Sequence, residues 1–139
     1  MVRSLAGFTP IIEFIRDGMY HLKHAIADKD FPQQALQKLI ETFQLAHSCL
    51  LYFCTHNEIN QKILAQHLPL LLSNLDIDIG QIPLICEIIK DNKTICETYF
   101  ETIMNPLVHM ITKYGRHSSF LEPVIVNLLF IIILLILLI

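Results

Sequence analysis

Apolar residues recur along most of the chain at spacings of three and four, which is the periodicity of amphipathic helices. The clearest run extends from Ala35 to Cys54. Apolar positions on one side of this helix are Leu36, Leu39, Ile40, Phe43, Ala46, Leu50, Phe53 and Cys54, and polar positions on the other are Gln37, Lys38, Glu41 and Gln44. The pattern predicts a long helix with a wide buried face, ending near His56 and Asn57.

An earlier helix is predicted over about residues 11–27, because Thr9-Pro10 has the form of an N-cap followed by proline at the first helical position. Its predicted buried face consists of Ile12, Ile15, Met19, Leu22 and Ile26. Gly18 lies in its middle and is expected to weaken the helix by about 1 kcal/mol relative to alanine. The stretch DKDFPQ ends this helix, and Asp30 and Pro32 begin the next one.

The third predicted helix begins at Asn57, and the side chains expected to face inward are Ile59, Ile63, Leu64 and Leu68. Pro69 is expected to kink or end it, because proline lacks the backbone N–H that a helix interior requires. An acidic loop over residues 73–81 and a short helix over about residues 82–90 follow.

The capping-box spacing of Thr94 and Glu97 predicts the start of another helix. Pro106 leaves open whether residues 96–114 form one helix or two. Gly115 is a predicted helix end, and the spacing of Ser119 and Glu122 predicts a last helix.

Strand signals are nearly absent, with little two-residue alternation and no hairpin dipeptide. The chain is therefore predicted to be all-α, with about six short antiparallel helices. Such helices either close into a bundle or stack as an irregular solenoid.

The C-terminal segment Val124–Ile139 is almost uninterrupted hydrocarbon. As a helix it would span about 24 Å, which is less than the ~30 Å core of a bilayer. Three interpretations remain open at this point: a membrane anchor, a buried hydrophobic helix of a larger assembly, and a chain end that is not part of the evolved domain. In each case the segment cannot be exposed to water as a monomer.

Composition and charge make one class of partner unlikely and indicate the state of the cysteines. Hydrophobic residues make up 53% of the chain and the net charge is −3. Since no basic stripe is interleaved with aromatic residues, nucleic acid is not an expected partner. No secretory signal pattern opens the sequence, so the cysteines (Cys49, Cys54, Cys86 and Cys96) are expected to be reduced thiols facing the cytosol. One intramolecular disulfide is the alternative, because pairing cannot be read from the sequence.

The stretch HSCLLYFCTH is the most suggestive of metal binding. Helical geometry places His47 and Cys54 on one face and Cys49 and His56 on the opposite face, so the four cannot surround one zinc ion. His47 and Cys54 are also ~10 Å apart along the helix axis, too far for a nucleophile and its base. Cysteine is more often a small buried side chain and histidine more often a helix-surface residue.

Carboxylate pairs and known motifs add no catalytic signal. Glu97 and Glu101 are expected on one solvated helix face, and Asp76 and Asp78 lack the glycine and terminal glutamate of a calcium loop. The chain contains no glycine-rich phosphate loop, G-x-S-x-G or H-E-x-x-H motif. We therefore predict no catalytic, cofactor-binding or metal-binding residues, and no enzymatic activity.

Two stretches, FCTHNEINQKILAQHLPLLL and CEIIKDNKTICETYFETIMNPLVHMITKYGRHSSFL, carry a resemblance that covers roughly residues 45–121. The matching points are Phe53-Cys54, Asn57-Glu58, Asn60-Gln61, His67-Leu68, Asp91-Asn92, Cys96-Glu97, Val108-His109, Gly115-Arg116-His117 and Phe120-Leu121. This segment resembles the homology region that inositol trisphosphate receptors share with ryanodine receptors. The resemblance implies an irregular, armadillo-like helical solenoid that faces the cytosol at the endoplasmic reticulum membrane.

On this basis residues 1–30 are expected to form an N-terminal helix, residues 31–123 a receptor-homology segment, and residues 124–139 a hydrophobic tail. The resemblance implies a fragment or short relative of a ligand-gated calcium-release channel that acts as a scaffold transmitting conformational change. Expected partners are other segments or subunits of that channel, which is a tetramer in the family. The alternative is a small helical adaptor, unrelated to calcium, that inserts into a membrane through Val124–Ile139.

Overall fold

The computed structural model describes residues 8–90, 92–114 and 137. Within these ranges the chain forms helices and no strands, which confirms the all-α prediction. The helices are α1 (Phe8–Ala27), α2 (Gln33–Cys54), α3 (Glu58–Ala65), α4 (Leu68–Leu72), α5 (Gln81–Ile89), α6 (Lys93–Thr98) and α7 (Phe100–Tyr114). Over the described residues the sequence predicts five helices and leaves open a division at Pro69 and another within residues 96–114, and both divisions are present.

Helices α1 and α2 pack against each other through the predicted apolar faces. On α1 the buried residues include Ile12, Ile15, Met19 and Leu22, as expected. The prediction for Ile26 is wrong, since its side chain is 43% exposed. It lies in the last turn of α1, where the chain reverses into α2, and Ala25 is buried there instead. Thr9 and Pro10 lie inside the first turn of α1 and do not precede it; proline is tolerated there because the first N–H groups have no helical partner.

Gly18 allows the two helices to approach closely. A Cβ atom at this position would lie 2.7 Å from Cζ of Phe43, which is fully buried on α2. The Phe43 ring also contacts Phe14, with the ring centroids 5.1 Å apart. The glycine that weakens α1 as an isolated helix therefore makes room for a large side chain of the core.

We predict that Gly18→Ala lowers the free energy of unfolding by a net amount on the order of 1 kcal/mol. Overpacking a core typically costs about 1–3 kcal/mol, and the higher helix propensity of alanine offsets about 1 kcal/mol of this. Urea unfolding followed by circular dichroism measures the difference. In a Phe43→Leu background, where the side chain is shorter, Gly18→Ala should be neutral or stabilising; equal losses in both backgrounds would contradict the steric explanation.

Helices α2 and α5 are both central to the array. Helix α2 contacts α1, α3 and α5, and α5 also contacts α3, α4 and α6, while α4 contacts α7. A single cluster of buried apolar side chains runs through all seven described helices. Its most completely buried members on α5 are Leu84, Ile85, Ile88 and Ile89. The predicted short helix is thus confirmed, starting one residue earlier, at Gln81.

The boundaries around α3 and α4 are partly as predicted. Asn57 caps α3, and the helix stops before Pro69, which lies in the first turn of α4. Ile59, however, is 72% exposed and does not face the core. An eight-residue helix buries only the side chains that meet its neighbours, here Asn60, Gln61, Leu64 and Ala65.

The predicted capping box of Thr94 and Glu97 is wrong, because Asn92 caps α6 through an Oδ1 that accepts from the backbone N–H of Ile95 at 3.1 Å. Residues 96–114 belong to two helices, but the break falls at Tyr99, and Pro106 lies inside α7. The predictions for Gly115, for Ser119 and Glu122 and for the tail lie outside the described residues, apart from Leu137. Among the helices that are described, none is long and apolar enough to cross a membrane.

Candidate functional site

The four residues of the His/Cys stretch are arranged as helix geometry predicts. His47 and Cys54 are buried, and Cys49 and His56 are exposed. Across residues 8–90 and 92–114, no three or more His, Cys, Asp or Glu side chains are grouped to hold a metal ion. The expectation of a surface histidine is wrong for His47, which is 1% exposed, and Cys49 is not buried as a small apolar residue would be.

His47 occupies a position that a hydrophobic residue would normally fill. Its Nδ1 donates to the carbonyl of Phe43 at 2.8 Å, and its Nε2 is buried without a hydrogen-bond partner. Its Cβ faces Gly80, where an added Cβ would be 3.4 Å away and where φ is +88°. Burial lowers the pKa of His47, and the hydrogen bond to the carbonyl of Phe43 and the nearby backbone of Ile79 oppose part of that effect. The imidazole is therefore a neutral core group at pH 7.

We predict that mild acid destabilises the fold through His47. Because its folded-state pKa lies below the reference value of about 6.5, the unfolded chain takes up the proton first as the pH falls. The stability conferred by the neutral ring is fully present above pH ~6.5 and declines below it, by at most about 1.4 kcal/mol per pH unit for one group. The pKa of His67 is also lowered, by burial and by the nearby charge of Arg16, and acts in the same direction.

Urea unfolding between about pH 7.5 and 5.5 measures this effect, above the range where carboxylates titrate. His47→Leu should flatten most of the dependence, and His21→Gln, at an exposed position of α1, should leave it unchanged. An unaltered slope in His47→Leu would contradict the assignment to His47.

The turn between α2 and α3 is closed by side-chain amides, and we call this group the α2–α3 corner (Phe53, Cys54, Asn57, Asn60 and Gln61). Asn60 Nδ2 donates to the carbonyl of Phe53 at 2.8 Å, and Gln61 Nε2 donates to that of Cys54 at 3.0 Å. Oδ1 of Asn57 accepts from the backbone N–H of Asn60 at 3.1 Å. The last carbonyls of a helix have no partner within it, so α3 supplies the donors that α2 lacks.

The second polar cluster holds loop 73–80 against α5 and α2. Gln81 Nε2 donates to the carbonyls of Asn74 at 2.7 Å and Ile77 at 2.9 Å, and its Oε1 accepts from the N–H of Ile79 at 3.1 Å. Gln44 of α2 donates to the carbonyl of Asp78 at 3.1 Å. Sequence reasoning placed Gln44 on the polar side of α2 and did not single out Gln81. The sequence offers only a glutamine at the end of the predicted loop 73–81.

The carboxylate pairs serve local structure. Asp78 Oδ1 accepts from the N–H of Gly80 at 3.4 Å within the turn, and Asp76 is exposed. Glu97 is 3.8 Å from Lys93 on α6. The prediction that Glu97 and Glu101 share one helix face is wrong, because the helix breaks at Tyr99 and places Glu101 on α7.

Two of the four cysteine thiols are held in the protonated form. None of the four, which all lie in the described part of the chain, forms a disulfide. Burial raises the pKa of Cys86, and burial together with the nearby carboxylate of Glu97 raises the pKa of Cys96 to about 11. Since the thiolate is the reactive form, these two groups are poor nucleophiles at neutral pH.

The comparison with known families gives one clear result. The RIH domain model matches residues 8–126, which include every described helix and extend the resemblance seen from residue 45 onward toward the N-terminus. No solved structure matches the chain. Because the matched range covers most of the sequence, the chain belongs to the RIH domain family, the homology region of the inositol trisphosphate and ryanodine receptors.

Proposed function

We propose that this chain is a helical scaffold of an intracellular ligand-gated calcium-release channel, and that it transmits conformational change between neighbouring parts of the channel. Membership of the RIH domain family supports the channel context. The observation that carries the scaffold role is the pair of polar clusters that join α2 to α3 and to loop 73–80. Rigid elements joined by packed side chains and hydrogen bonds are one physical route by which coupling travels between distant sites.

The α2–α3 corner makes this argument concrete. The acceptors are backbone carbonyls of α2. The hydrogen bonds therefore attach α3 to the backbone of α2 and not to a flexible side chain. Both donors, Asn60 and Gln61, are buried, where breaking a hydrogen bond leaves an unsatisfied polar group. A displacement of α2 that preserves these bonds therefore moves α3 with it.

We further propose that the chain has no catalytic activity. The raised pKa values of Cys86 and Cys96 and the placement of Glu97 and Glu101 on different helices support this. Incubation with ester, amide and phosphoester substrates should give no turnover above that of the heat-unfolded chain.

We propose the endoplasmic reticulum membrane as its location, with the helices facing the cytosol, and other segments or subunits of the channel as its partners. The support is the family, whose members are channels of that membrane with a cytosolic RIH domain. Val124–Ile139 is the candidate segment for membrane insertion. Carbonate extraction tests it: an inserted chain stays with the membranes, and deletion of residues 124–139 releases it.

Ligand-evoked calcium release in cells that lack the chain tests the transmission role. Re-expression of the natural sequence should restore release. Gln61→Met, which removes one donor of the α2–α3 corner, should still co-purify with the channel but restore less release. Gln66→Met, at an exposed position at the end of α3, is the matched control.

Two outcomes count against the proposal. Full restoration by folded Gln61→Met would argue against transmission through this corner, and failure to co-purify with a full-length receptor would argue against the channel context.

The hydrophobic tail favours one competing function, a tail-anchored adaptor unrelated to calcium. For such an adaptor, loss of the chain would leave calcium release unchanged.

A further inference from the structure

Helix α7 carries more apolar surface than its contacts with α4 and α6 bury. Its buried side consists of Ile103, Leu107 and Met110. At about 3.6 residues per turn, three further apolar residues lie directly beside them. We call this second surface the α7 flank, and it consists of Phe100, Met104 and Val108. Phe100 is 40% exposed and Val108 is 53% exposed, so the described part of the chain leaves the flank largely uncovered.

The width of this apolar surface indicates that a second element packs on α7. The buried side and the flank together cover an arc of about 160° around the helix axis, whereas a helix with one core contact needs an apolar stripe of about 100°. The flank carries no charge, and the exposed polar residues Glu101, Asn105 and His109 lie beyond it. A helix with this pattern is buried from two directions, and the described helices supply only one of them.

The chain continues from the end of α7 into the segment that most needs an apolar partner. Residues 124–139 contain Asn127 as their one polar side chain, and such a segment cannot be exposed to water. The spacing of Ser119 and Glu122 predicts a helix from residue 120 onward, which leaves residues 115–119 as the connection to α7. Connections of this length join antiparallel helices in hairpins and bundles.

The dimensions of the two segments agree. Helix α7 has 15 residues, and residues 120–134 are equally many, so each extends about 22 Å as a helix. A five-residue connection spans up to about 17 Å, which exceeds the distance of about 8–10 Å between packed helix axes. In an antiparallel hairpin centred on residue 117, Val108 is opposite residue 126 and Phe100 is opposite residue 134. Leu137 lies past that end and is 75% exposed.

Two further observations favour this segment over a separate partner. The match to the RIH domain model extends to residue 126, well past the end of α7, so residues of the domain itself follow this helix. A short connection also holds the segment at an effective concentration of about millimolar beside the flank. A partner on another chain lacks that advantage.

We propose that residues 120–134 pack antiparallel on the α7 flank whenever they are not inserted in a membrane. Phe100, Met104 and Val108 then lose their contact with water together with the apolar side chains that cover them. The inference goes beyond the proposed scaffold function and does not depend on it. Since the same residues cannot contact α7 and lipid at once, release from the flank precedes any insertion of the tail.

Cysteine cross-linking after translation in an extract without membranes or detergent tests the proposal. Cys49→Ser removes the exposed natural thiol. Val108→Cys is then combined with cysteine at each of positions 124–127, which cover one helical turn, and a copper oxidant is added. Facing helices bring one of these pairs within the short distance that a disulfide needs. We expect a cross-link within the chain, at a yield several-fold above that of His109→Cys, the exposed neighbour on the polar side of α7.

Met104→Cys with cysteine at positions 128–131 repeats the test one turn further along, in case the first set does not fold. Equal yields for Val108→Cys and His109→Cys, or no cross-link, would overturn the proposal. Cross-links only between two chains would also overturn it, in favour of a second copy on the flank. Loss of the cross-link with normal calcium release would count against this inference alone, and a retained cross-link with no effect on release would count against the proposed function alone.

Discussion

Replacing Phe43 with alanine is expected to lower the free energy of unfolding by about 3–5 kcal/mol. The side chain is completely buried at the contact between α1 and α2, against Gly18 and the ring of Phe14. Alanine would lose the apolar burial of the ring and leave a cavity between two helices that cannot fully collapse, because α2 is also fixed to α3 and α5.

Urea unfolding followed by circular dichroism gives the magnitude. Leu45→Ala is the matched control on the same helix, since Leu45 is 66% exposed and its loss should stay within about 0.5 kcal/mol. Similar losses for Phe43→Ala and Leu45→Ala would show that the α1–α2 contact is not a main part of the core.

Gln81→Leu is expected to cost about 2–4 kcal/mol, although the replacement is apolar and similar in size. The natural side chain makes three hydrogen bonds to loop 73–80, to the carbonyls of Asn74 and Ile77 and the N–H of Ile79. Each net hydrogen bond contributes about 1 kcal/mol, and a buried partner left unsatisfied costs more. The destabilisation should affect loop 73–80 more than it affects the helices.

Amide hydrogen exchange separates that local effect from general destabilisation. In Gln81→Leu the N–H of Ile79 should exchange faster at urea concentrations where α2 remains protected. Gln66→Leu, at an exposed site, should change neither exchange nor stability. Uniform acceleration across all helices, with no excess at Ile79, would mean that Gln81 does not hold the loop specifically.

Much of the fold follows from periodicity, because long amphipathic patterns are governed by burial on one face. Helices α1 and α2 are close to their predicted bounds for this reason. The errors at Ile26 and Ile59 have one cause: a pattern defines a face but not how far a partner helix covers it. The break at Tyr99 was missed because no proline or glycine marks it, whereas Pro106 is accommodated within α7.

The polar clusters were harder to predict, with one exception. The cap at Asn57 follows from local geometry that a sequence displays. The roles of Gln81 and Gln44 depend on which carbonyls the folded loop presents to them. The sequence alone does not distinguish such a glutamine from one that is exposed to solvent. His47 is similar: its burial depends on the approach of Gly80, which is 33 positions away in sequence.

The contacts of α2 with α5, and of α4 with α7, have a consequence for cooperativity. In a strictly linear stack each unit touches only its neighbours, so the ends can fray while the middle persists. Here removal of α5 would uncover the part of α2 that packs against it, and would also expose the surfaces of α3, α4 and α6 that contact α5. We therefore expect the array to melt in a single transition, and a polypeptide shortened before Gln81 to remain unfolded even though it contains both of the longest helices.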